Sequence, residues 1–112
     1  MAKGAYLGEF EQIVMLALLR LGEHAYGMII RREIEETTGR QVSIGAVYAT
    51  LDRLERKDFI TSRVGEASAR RGGRAKRYFQ LTAAGNRVLQ SSREMLRKMW
   101  DGVETSLVEK SS

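Results

Sequence analysis

At 112 residues the chain has room for one domain with a small core. Its 43% hydrophobic and 29% charged residues exclude wholesale disorder, and the absence of cysteine excludes disulfides, thiolate metal sites and thiol catalysis. The formal charge of +5 has one origin: residues 63–77 hold Arg63, Arg70, Arg71, Arg74, Lys76 and Arg77 against a single acid, Glu66, and everything outside that stretch sums to zero.

In chain order, Phe10, Ile13, Val14, Ala17, Leu18 and Leu21 recur at helical spacing, and Leu16 and Leu19 widen the stripe, which predicts a first helix buried on most sides. Its apolar run, residues 13–19, is too short to cross a bilayer. Glu9 and Glu11 precede it where a secretory leader would be basic, so a cytoplasmic protein without membrane contact is expected. With no proline, glycine supplies the punctuation: Gly22 closes this helix and Gly39 closes a second, over residues 26–38.

Ser43 can cap a third helix running to about Lys57. Ile44, Val47, Leu51 and Leu54 form its buried stripe; Ala46, Ala49, Thr50, Arg53, Arg56 and Lys57 project to the other side. The period then changes to two. Residues 60–66 and 77–81 alternate as strands around a glycine-centred basic segment, which predicts a β-hairpin with a long basic tip. A final helix is expected from Thr82 towards Glu109, with Gly102 as an interruption. Leu89, Ser92, Leu96, Met99 and Val103 follow the three-and-four spacing of a coiled-coil seam.

Helix, helix, short turn, helix and hairpin is the order of a winged helix-turn-helix, so the expected class is mainly α with a small β-hairpin and a long C-terminal dimerisation helix. Residues 1–81 would form the DNA-binding unit and residues 82–112 the dimerisation helix of the same compact body. The third helix fits the major groove through Ser43, Ala46, Tyr48, Ala49, Thr50 and Arg53, with Thr50 and Arg53 favoured for base edges. Arg63, Arg70, Arg71, Arg74, Lys76 and Arg77 would meet phosphate or the adjacent minor groove.

The runs Leu7–Gly8–Glu9–Phe10–Glu11–Gln12, Ala25–Tyr26–Gly27 and the stretch from Ser43 to Glu55 resemble the PadR family of bacterial transcriptional regulators. The hairpin run from Arg71 to Tyr78 and the junction Leu81–Thr82–Ala83–Ala84–Gly85 fit the same resemblance, in its short subgroup with one C-terminal helix. It implies a homodimeric regulator, usually a repressor, often responding to small hydrophobic or aromatic compounds.

The expected partners are therefore double-stranded DNA carrying an inverted repeat and a second copy of the chain through Leu89, Leu96, Met99, Trp100, Val103 and Leu107; Met95, Met99 and Trp100 read either as part of that dimer seam or as the site of a small hydrophobic or aromatic effector. An RNA-binding module built on Arg71–Gly72–Gly73–Arg74 is an alternative, as is a ligand or protein-interaction module on the same scaffold. No cofactor, metal site or catalytic residue is expected: His24 is the sole histidine and has no acid–histidine cluster around it.

Overall fold

The computed structural model describes residues 6–65 and 75–103. In order they form α1 (Glu9–Leu21), a single 3₁₀ turn (Gly22–His24), α2 (Gly27–Thr38), α3 (Ile44–Arg56), β1 (Ile60–Val64), β2 (Arg77–Leu81) and α4 (Ala83–Trp100). This is a winged helix-turn-helix with a C-terminal helix, as the sequence predicts.

The core follows from the helical periods. Val14, Met15 and Leu18 of α1 meet Ile30 and Ile34 of α2, Val47, Leu51 and Leu54 of α3, and Ile60 and Phe79 of the hairpin. Val88 and Leu89 bring α4 onto the same cluster. Gly39 ends α2 in the left-handed region at φ 73°, its N–H donating to the Glu35 carbonyl, a conformation most side chains avoid. The turn that follows is braced from both directions. The Arg31 guanidinium donates to the Val42 carbonyl at 3.0 Å, and the Val42 N–H donates to the Glu35 carboxylate at 3.1 Å. Ser43 then caps α3, its hydroxyl accepting from the Ala46 N–H.

β1 and β2 pair antiparallel, with Ile60 opposite Leu81 and Val64 opposite Arg77. The hairpin is attached to the helices by a lone bridge between Tyr26 and Tyr78 and by the Phe79 N–H donating to the Ala25 carbonyl. Thr82 caps α4, accepting from the Gly85 N–H while donating to the Asp58 carbonyl. Here glycine is required: a Cβ at Gly85 would lie 1.9 Å from the Phe59 carbonyl oxygen, so only a bare backbone lets α4 begin across the α3–β1 turn.

Two expectations are corrected. Leu16 and Leu19 are exposed rather than buried, because they lie on the side of α1 that faces the outer part of α4. Tyr26 is not the first turn of α2 but the extended residue before it, pairing with the hairpin. The C-terminal helix, by contrast, is interrupted around Gly102 as the sequence predicts. It stops at Trp100, with Asp101 and Gly102 in a turn and Gly102 at φ 82°. Residues 104–112, Leu107 included, lie outside the described residues.

Candidate nucleic-acid interface

The outward side of α3 begins with small residues. Gly45, Ala46 and Ala49 are exposed, followed by Asp52, Arg53 and Arg56 towards the C-terminal end. Such a surface can approach another molecule closely near the helix start and offers polar groups further along. Thr50 does not belong to it. At 3% exposure it faces inward, and its hydroxyl accepts a hydrogen bond from an Arg53 Nη at 3.3 Å. It therefore supports Arg53 instead of reaching a base itself; a hundred degrees per residue puts it at the seam between the two faces.

Arg53 has a second partner that the sequence does not disclose. Glu11, in the first turn of α1, is a buried carboxylate with both oxygens engaged. One oxygen accepts the Gly8 N–H at 2.9 Å; the other accepts Arg53 Nε at 3.2 Å and Lys57 Nζ at 2.9 Å. Burial pushes the Glu11 carboxyl up, but the Gly8 N–H and the two cations outweigh it and hold the group below its ordinary value. Arg56 is paired as well, with Asp52 at 2.6 Å one turn back.

The described part of the hairpin holds its cations differently. The Arg63 guanidinium lies 4.7 Å from the Tyr78 ring centre and Lys76 Nζ 3.6 Å from that of Tyr26, and the two rings meet edge to face at 5.8 Å. Gly65 has little room beside them, since a Cβ there would come 2.7 Å from the Tyr78 ring. Arg77 is the exception: it donates to Glu55 at 2.9 Å and to the Ser62 hydroxyl at 3.0 Å, tying the hairpin to the end of α3. Arg70, Arg71 and Arg74 lie outside the described residues.

Known proteins share this fold. The family model of the transcriptional regulator PadR-like family matches residues 15–91. The chain belongs to the PadR-like family. Among solved structures it is similar to a PadR-like transcription factor of Bacteroides fragilis, at 25% identity and a TM-score of 0.71 over 86% of this chain and 87% of that one. It is also similar to a PadR family transcriptional regulator of Eggerthella lenta, at 26% identity and a TM-score of 0.69 over 88% and 86%. A transcriptional regulator of Clostridium thermocellum, at 21% identity, shares the fold with a TM-score of 0.68 over 86% and 88%. No curated protein matches the chain.

In this PadR-like regulator two of the resembling motifs touch. A Cβ on Gly27 would lie 2.2 Å from the Tyr48 hydroxyl, so the glycine at the start of α2 makes room for the tyrosine of α3. Tyr48 is thereby half exposed, its ring lying along α2 with its hydroxyl over Gly27. Ser43 is occupied as the helix cap.

The outer half of α4 presents a second surface. Leu96 and Trp100 join Leu16 and Leu19 of α1 around an open apolar cleft of about 590 Å³, with Gln12, Leu89, Gln90, Arg93 and Arg97 completing its lining. Of the three residues expected around an effector, only Trp100 lines this cleft; Met95 and Met99 are exposed elsewhere on α4. Leu89, expected in a dimer seam, is 4% exposed and packs into the chain's own core, and Ser92 is buried beside it. The exposed apolar stripe therefore begins later, at Met95 and Leu96, and continues through Met99, Trp100 and Val103. His24 is exposed in the 3₁₀ turn. Among the described residues no group of three His, Cys, Asp or Glu could hold a metal ion, and no helix is long and apolar enough to cross a membrane.

Proposed function

We propose that this PadR-like regulator is a homodimeric repressor that binds double-stranded DNA, with α3 in the major groove and the hairpin on the flanking backbone. The observation that carries the reading is the side of α3 left open by the fold. Gly45, Ala46 and Ala49 form a low surface able to enter a groove about 12 Å wide, and Arg53 stands beside it with its guanidinium half exposed. Arg63 and Lys76 at the loop end of the hairpin have no acidic partner among the described residues, and Arg70, Arg71 and Arg74 lie between them in sequence. Charge of this kind is drawn to phosphate, which fixes position without reading sequence.

The exposed stripe of α4 supports a dimer. Leu16, Leu19, Leu96 and Trp100 form an apolar surface that a second copy would cover, which would hold two α3 helices at a fixed separation. Half-sites would then lie about one turn apart, roughly 34–36 Å, as an inverted repeat. Repression follows where that repeat overlaps a promoter. A small hydrophobic or aromatic effector entering the cleft beside Trp100 would shift the spacing by favouring one dimer geometry over another. Trp100 is the chain's one tryptophan, so its fluorescence reports occupancy of that cleft directly.

Selection of bound duplexes from a random pool tests the main reading. An inverted repeat is the expected product; recovery of single-stranded RNA in preference to duplex DNA from a mixed pool would favour the arginine–glycine hairpin as an RNA module. Substituting Leu96→Asp places a charge in the apolar stripe and should give monomers in sedimentation. A dimer of unchanged stability would move the interface elsewhere.

A further inference from the structure

We propose that Glu11 is a specificity-determining positioning residue: it turns the Arg53 guanidinium so that its terminal edge faces a guanine in the operator. The inference rests on the DNA-binding reading of α3 and deepens it.

A guanidinium offers two pairs of parallel donors, one along the side (Nε with the nearer Nη) and one across the end (both Nη). In this chain the side pair is occupied. Nε donates to the Glu11 carboxylate at 3.2 Å and Nη2 to the Thr50 hydroxyl at 3.3 Å. What remains is the end pair, on a side chain that is 50% exposed and rises from the outward face of α3. Two parallel donors in that arrangement match the O6 and N7 acceptors of guanine in the major groove.

The acceptor behind the arginine is built to stay in place. Glu11 is only 8% exposed at its side chain, and its other oxygen is fixed by the Gly8 N–H at the start of α1. Lys57 approaches the same oxygen as Arg53, so the acid is neutralised and the group keeps a net positive charge towards DNA. Capping α1 would need one oxygen of Glu11 and no contact with α3. The second oxygen, shared by two cations from a helix more than forty residues later in sequence, is the feature that capping leaves unexplained.

The test compares wild type with Glu11→Gln, Arg53→Lys and the double variant in selection from a random duplex pool, followed by binding to the winning duplex and to versions with one base pair changed. Wild type should select a guanine at one symmetric position per half-site, with roughly tenfold to hundredfold discrimination there. Arg53→Lys keeps the charge but lacks the fork, so it should lose that discrimination while nonspecific binding persists. Glu11→Gln should lose most of it at the same position only, and adding it to Arg53→Lys should cause no further loss. Glu11→Asp, which keeps the charge on a shorter arm, is the second probe should the glutamine variant melt early; it too should relax the one position.

Identical preferences in wild type and both Glu11 variants would overturn the inference while leaving DNA binding intact, as would an equal loss at every operator position, which is the signature of a merely structural acid. A higher affinity with unchanged preference would also overturn it, since Glu11 would then only hold Arg53 back. Recovery of no duplex by any variant overturns the DNA-binding reading and this inference together.

Discussion

The cations of α3 and those at the loop end of the hairpin are held by opposite chemistry. On α3 and its C-terminal cap, Arg53 and Lys57 share the Glu11 carboxylate and Arg56 pairs with Asp52, so the helix presents directed donors with little free charge. At the loop end of the hairpin ladder, Arg63 and Lys76 lie over tyrosine rings, which orient a cation without neutralising it. The difference separates two tasks that DNA binding demands. Attraction to phosphate needs free charge and tolerates imprecise geometry; reading a base needs a fixed donor and gains little from charge.

Salt dependence separates the two regions most sharply. Substituting Arg71→Ala and Arg74→Ala together removes two cations of the basic stretch between the strands in sequence, which should lower the slope of log K against log salt by up to about 1.8, at roughly 0.9 for each phosphate that is no longer neutralised. Arg56→Ala, which removes a cation already paired with Asp52, should change the slope by well under one. Equal slopes for the two variants would abolish the distinction between the regions.

A smaller effect concerns how the hairpin is aimed. The Tyr78 ring receives Arg63 on its face and meets Tyr26 edge to face, joining β2 to the start of α2. Tyr78→Leu should cost about 1–2 kcal/mol in urea denaturation, from one aromatic pair and one cation contact. Tyr78→Phe keeps both ring contacts and should stay close to wild type. A leucine variant as stable as wild type would mean that the strand pairing alone positions the hairpin and that the rings contribute no more than cover.

The contrast is only half visible in the sequence. The period change at residue 60, the Ser43 cap and the small face of α3 are local signals, and each matches its place in the fold. Thr50 reads as outward in the sequence because its projection lies at the border of the two faces, where a few degrees decide between solvent and core. Glu11 gives no signal of its role: an acid in a first helical turn is ordinary, and its partners at positions 53 and 57 reach it only through tertiary packing. Leu16 and Leu19 read as core for the complementary reason. Helical period marks an apolar side but not whether the rest of the fold covers it. The requirement for Gly85 is likewise set by the Phe59 carbonyl of another segment.

Acid titration offers the finest probe of the pairing on α3. Glu11, Glu33 and Glu94 are all held below the ordinary carboxylate value, Glu33 by hydrogen bonds from Arg20 and Thr37 and Glu94 by Arg97. Glu94 is exposed and Glu33 partly so beside an exposed Arg20, so salt screens their pairing and leaves little of it in stability. For Glu11, burial raises the pKa while the Gly8 N–H, Lys57 and Arg53 lower it further, and the lowered folded value sets the sign. Its contribution is complete above the ordinary value of 4.5 and disappears as the pH falls from there through the folded value. Denaturation of wild type and Glu11→Gln at high salt should therefore give a stability difference that is flat from pH 7 to 4.5 and shrinks below it. A wild type that instead gains stability relative to the variant on acidification above pH 4.5 would mean that burial prevails over the cations. Arg53 and Lys57 would then be as free as Arg63 and Lys76, and the two regions would differ in shape alone.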